Sequence, residues 1–181
     1  MRIVAYAISL AVSLSLSFCM RGAAAQNLPA CNTRVMARNG NEITIGFEQL
    51  SNIFNRDLSA AHSNFSDLIL SAGGGNKLTV SGKNNGTPVS ISGPLQAVRG
   101  GALRLHADKI VQNGDPEKGL MSLTGKSLAD YANFKNTDFL SAHGDDIFIH
   151  PDPLLNLSGQ VTGVSLNDSR VTLTFASQPC R

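Results

Sequence analysis

Positive charge is in short supply once the first residues of this chain are set aside. Without Arg2 and Arg21 the 15 lysines and arginines fall to 13, matching the 13 acids. A balanced chain lacks the clustered cations that nucleic acid requires, so nucleic-acid binding is excluded. Long apolar runs are equally scarce. After Met20 there is no stretch of about 18 apolar residues, so no further membrane span is expected. Catalytic signatures are missing too. There is no G-x-S-x-G elbow for serine hydrolysis. The glycine run Gly73–Gly75 leads through Asn76 and Lys77 into a strand pattern, which is not a phosphate-binding loop. The histidines His62, His106, His143 and His150 show neither H-x-H nor H-x-x-x-H spacing, so no zinc set is expected.

Cysteine is limited to three positions. Cys19 falls in "MRIVAYAISLAVSLSLSFCMRGAAAQ", an early cation followed by an apolar run and small residues. This is the pattern of a secretory signal peptide spanning 1–25, cleaved after Ala25. Cys19 leaves a lipoprotein route open, although Phe18 stands where that cleavage takes a small residue. The remaining chain, 26–181, has the length of one domain with its own core. An exported destination, periplasm or cell envelope, makes a Cys31–Cys180 disulfide the favoured pairing, with two free thiols as the alternative.

What the sequence does have is alternation. "NEITIGF", "NKLTVSG", "TPVSISG", "GALRLHADKI" and "SRVTLTF" each place apolar residues at every second position. That is the pattern of strands with one buried face. The turn-rich strings "AGGGNK", "KNNGTP" and "LNDSR" between them predict antiparallel hairpins. Two regions change period. Phe47, Leu50, Ile53, Phe54, Leu58 and Ala61 recur at three- and four-residue steps, predicting an amphipathic helix over 47–61. In the second region Asp115 and Pro116 read as the start of a short helix carrying Leu120, Met121 and Leu123. Ser127 and Asp130 read as a capping box for another, through Leu128 and Tyr131. The fold class expected is α+β, with one amphipathic helix and a short helix pair packed on one face of an antiparallel β-sheet.

The string "DDIFIHPDPLLNLSG" concentrates Asp145, Asp146, His150 and Asp152. A metal or catalytic site is one reading. Strand geometry opposes it, since Asp146 and His150 stand about 13 Å apart along one strand. The other reading is a strand that turns in at "GDD" and stops at the two prolines. His106 alternates onto a polar, solvated strand face.

The helices carry much apolar surface. A cleft between helix and sheet, lined by Phe47, Leu50, Phe54, Leu58, Leu120, Met121, Leu123, Leu128 and Phe148, would hold an acyl chain. The competing reading assigns the same residues to an ordinary filled core.

The segment "LRLHADKIVQNGDPEKGLMSLTGKSLADY", with "GDDIFIHPDPLL" and "SGQVTGVSLNDSRVTLTF", resembles the exported bacterial LmeA-like proteins, a domain of unknown function related to the tubular lipid-binding (TULIP) proteins. The match runs from Leu103 to Phe175, and more weakly over "ITIGFEQLSNIFN". Asn156, Leu157 and Ser158 stand where that pattern carries further prolines. The resemblance implies a curved sheet wrapped around a helix, and binding of a phospholipid or similar amphiphile without catalysis. The partners it implies are an acyl-chain lipid and, peripherally, a membrane; no cofactor or metal is expected. The alternative is a structural or protein-interaction module of the envelope with no ligand.

Overall fold

Ile43 and Ile45 face the interior from one strand, and Val171, Leu173 and Phe175 face it from a strand more than 120 residues later. Their pairing organises the fold. The computed structural model describes residues 36–116, 127–131, 134, 137–157 and 159–177. Strands β1 (Met36–Asn39) and β2 (Glu42–Gly46) form a hairpin. Strand β12 (Arg170–Phe175) lies antiparallel to β2, with Leu173 opposite Ile43. Strand β11 (Val161–Leu166) completes a four-stranded sheet ordered β1-β2-β12-β11. Backbone pairing of β2 with β12 therefore joins the two ends of the described chain. Cys31 and Cys180 lie outside the described residues.

The second sheet follows the order β3 (Phe65–Ala72), β4 (Lys77–Asn84), β5 (Thr87–Ala97), β6 (Leu103–His106), β10 (Asp146–Ile149), β9 (Leu140–His143). All pairs are antiparallel. Asn85 and Gly86, with φ of 50° and 79°, make the tight turn between β4 and β5 that the Asn-Gly signal predicts. The expected hairpins are all present. The protein is thus α+β with antiparallel sheets, as the alternation predicts, but with two sheets where one curved sheet is expected.

Three details differ from the sequence reading. "GALRLHADKI" forms two strands. β6 pairs with Leu95–Ala97 of β5, while β7 (Lys109–Gln112) pairs with Val89–Ser92 of the same strand. Where the chain changes level, the His106 carbonyl presses on Gly93 so closely that any Cβ there would collide with it. Next, Asp115 and Pro116 do not start a helix. Asn113 and Gly114, with φ of 50° and 91°, reverse the chain, and Asp115–Pro116 (β8) pairs back onto β7. The local turn outcompetes the cap. Leu120, Met121 and Leu123 lie outside the described residues. Finally, "HPDPLL" ends the strand as expected, then forms a short helix of its own, Pro151–Leu155. Pro151 takes the first helical position, where a missing N–H costs nothing, and Asn156 closes the helix in the left-handed region with φ 51°. It is α3 here; α2 is Leu128–Tyr131.

Helix α1 (Phe47–Ala60) matches the predicted helix to within a residue. Its first turn has no side-chain cap. Burial holds it instead: Phe47, Leu50, Phe54 and Leu58 are buried, each worth about 1.5–3 kcal/mol, against roughly 1 kcal/mol for a missing cap. At its end the His62 amide reaches the Ser59 carbonyl and the Ser63 amide the Leu58 carbonyl, with His62 left-handed at φ 51°. This closes the helix as a Schellman motif without glycine.

Candidate functional site

Helix α1 lies along β3, the edge strand of the larger sheet, and its polar side chains complete that edge. Ser51 Oγ accepts from the Leu70 amide at 2.9 Å and donates to the Phe47 carbonyl at 2.7 Å. Asn55 Oδ1 accepts from the Leu68 amide at 2.7 Å, and Asn55 Nδ2 donates to the Leu68 carbonyl at 2.8 Å. Edge-strand groups that would otherwise offer themselves to another chain are satisfied from within. The same contacts press the apolar face of α1 onto the sheet.

A second polar link joins the two sheets. Asn76 Nδ2 donates to the Leu95 carbonyl at 2.6 Å and to the Val164 carbonyl at 3.4 Å. Its Oδ1 accepts from the Leu166 amide at 3.1 Å. One side chain between β3 and β4 thus bonds both β5 and β11.

Between these links lies the interior, where two small voids remain. The first, about 30 Å³, sits between the two sheets and is closed by Phe47, Leu50 and Phe54 of α1 and by Pro151, Leu154 and Leu155 of α3. The second, about 50 Å³, lies further along the larger sheet, beside Val80, Ile91, Leu105 and Ile147. Every residue lining either void is apolar. Phe54, Leu70, Leu78 and Ile149 border both. At the far end Phe65 stacks on Phe134 with ring centres 5.3 Å apart. A groove of about 290 Å³ opens on the surface beside Asp57, Thr137, Asp138 and Pro153, but its two carboxylates suit no hydrocarbon.

Of the predicted cleft residues, Phe47, Leu50 and Phe54 come together around the first void. Leu58 and Leu128 are buried at 0% and 3% exposure and border neither void. Phe148 is misplaced by the cleft reading. Ile147 and Ile149 turn inward, so Phe148 turns outward, half-buried, in register with Arg104 and Ser141. The strand side of the interior also lines the voids. Leu78, Leu103 and Leu173 were visible as alternation, and Leu154 and Leu155 followed the prolines.

The acidic stretch resolves into separate structural duties. Asp145 Oδ1 accepts from the Leu128 amide at 3.2 Å, and the neighbouring Gly144 carbonyl accepts from the Ala129 amide at 2.9 Å, so this turn is tied to the start of α2. Asp130 Oδ2 accepts from the Ser127 amide at 2.7 Å, one half of the predicted capping box; in place of the other half, Ser127 Oγ donates to the same carboxylate oxygen at 3.0 Å and the Asp130 amide donates to the Ser127 carbonyl. Asp146 bonds His106 Nδ1 across the strands at 2.7 Å, so His106 is half-buried and paired where a solvated side chain is expected. Asp152 lies in the first turn of α3. Its carboxyl is pushed above the ordinary aspartate range by burial, an effect partly opposed by His150. Among the described residues no three His, Cys, Asp or Glu side chains converge as a metal site.

Comparison with models of protein families, with curated proteins and with solved structures gives no match to this chain. The functional reading therefore rests on the residues and their geometry. No helix of the described residues is long and apolar enough to cross a membrane.

Proposed function

We propose that this is an exported, non-catalytic domain of the bacterial cell envelope that binds a phospholipid or other acyl-chain amphiphile. The observation that carries the reading is the pair of wholly apolar voids, adjoining at Phe54, Leu70, Leu78 and Ile149 beneath α1 and α3. The resemblance of Leu103–Phe175 to LmeA-like and tubular lipid-binding proteins points the same way, as does the signal-peptide pattern of 1–25. In this reading Cys31 and Cys180 form a disulfide, and lipid is acquired by peripheral contact with a membrane.

Ligand pockets usually measure roughly 300–1,000 Å³. Voids of about 30 and 50 Å³ are far smaller, so a chain enters by displacing side chains. Burial of hydrocarbon at about 0.8 kcal/mol per methylene supplies the driving force. The same volumes favour a second reading, a structural or protein-interaction module of the envelope whose core is full and which takes no ligand. Titration of the folded protein with a fluorescent fatty acid separates the two. Saturable binding, competed by unlabelled phospholipid, supports the lipid reading; its absence leaves the filled-core module.

A further inference from the structure

We infer that Phe54 is the partition between the two interior voids and sets the length of unbranched hydrocarbon chain that the interior takes. This deepens the lipid-binding reading and rests on it for the nature of the ligand. Four residues border both voids. Three belong to hydrogen-bonded strands: Leu70 sits opposite Val80, Leu78 opposite Gly93, and Ile149 between Leu103 and Leu140. Moving any of these backbones breaks a ladder. Phe54 alone comes from a helix, and stands across from the other three.

The backbone of α1 does not swing freely either. Ser51 and Asn55, on either side of Phe54 in sequence, bond the Leu70 and Leu68 backbone. What remains free to respond is the Phe54 side chain. Its ring meets Phe139 edge-on, with centres 5.8 Å apart and planes at 69°. Rotation of that one ring joins the two voids into a single channel along the larger sheet. A short chain fits the first void with local displacement; a longer one requires Phe54 to move. The lining contains no polar side chain to meet a hydroxyl or a ring nitrogen, which selects for plain hydrocarbon.

Two measurements on the exported protein and its Phe54→Ala and Phe54→Leu variants test this. The first is methyl NMR during titration with benzene. Neither wild-type void matches the space that benzene takes in an apolar cavity, so no saturable shift is expected. Phe54→Ala should show saturable shifts both at Leu155 and Leu173 and at Val80 and Ile91. Shifts on one side only, none in a folded variant, or both in the wild type, would overturn the partition. The second is competition by unbranched fatty acids of graded length. In Phe54→Leu, which keeps an apolar side chain and secures folding if alanine does not, the longest chains should gain about tenfold in affinity over the shortest. An unchanged ratio overturns the length rule. If no variant and no wild type binds any fatty acid, the lipid reading and the length rule fall together, and the benzene result still decides the partition.

Discussion

Ser51 on α1 and Leu70 on β3 are joined by a buried hydrogen bond of 2.9 Å, the helix hydroxyl standing where a neighbouring strand would place a carbonyl. Ser51 is the one buried polar residue among the described residues, at 7% exposure. Ser51→Ala leaves the Leu70 amide without its partner in an apolar setting. A loss of about 1–3 kcal/mol is expected on urea unfolding, with faster hydrogen exchange at Leu70. An unchanged midpoint would show that water reaches the seam.

Asn76 offers a sharper test of how the sheets are held. Asn76→Asp keeps the acceptor for the Leu166 amide but sets a carboxylate against the Leu95 carbonyl, where Asn76 Nδ2 now donates. Near neutral pH the aspartate should cost more than alanine, by about 1 kcal/mol. Equal stability of the two variants would deny that Asn76 links the sheets through its donors.

Gly93→Ala should be among the most damaging single changes in the chain. The added methyl meets the His106 carbonyl, which belongs to backbone and cannot turn away. A cost of about 3 kcal/mol or more is expected, or failure to fold. A fully folded alanine variant with unchanged thermal midpoint would contradict the crossing of β6 and β7 over β5.

Asp152 predicts a pH dependence. Its folded pKa is raised, so the folded state holds the proton more tightly than the unfolded chain does. The stability this contributes is complete below the unfolded pKa and is lost as pH rises through the folded one. Asp152→Asn removes the titration. The wild type should therefore gain on the variant as pH falls from about 6 to about 3, in matched thermal melts. A gap that stays constant over that range would refute the raised pKa.

Alternation made most of the fold legible, because a strand with one face buried must place apolar side chains at every second residue. The buried residues of β2, β6, β10 and β12 were all readable in this way. The helix α1 was readable for the same reason at a different period. Other features depend on partners far away in sequence. The division of "GALRLHADKI" turns on the Gly93 contact with the His106 carbonyl, and no local pattern carries that. The Asn113–Gly114 turn was a strong local signal that a plausible helix cap at Asp115 concealed. In the candidate site, the helix residues Phe47, Leu50 and Phe54 stood out by size. Phe148 is as large, but its place between Ile147 and Ile149 puts it on the other face of the strand. Ser51 and Asn55 gave no sign, since a serine or asparagine on a helix is ordinarily a surface residue.

The most direct test is organic extraction of the purified protein followed by mass spectrometry. The account predicts a co-purifying acyl-chain lipid, present in stoichiometric amount and shifted toward longer chains in the Phe54→Leu variant. Repeatedly empty extracts from folded protein, together with no binding of a fluorescent fatty acid, would contradict it.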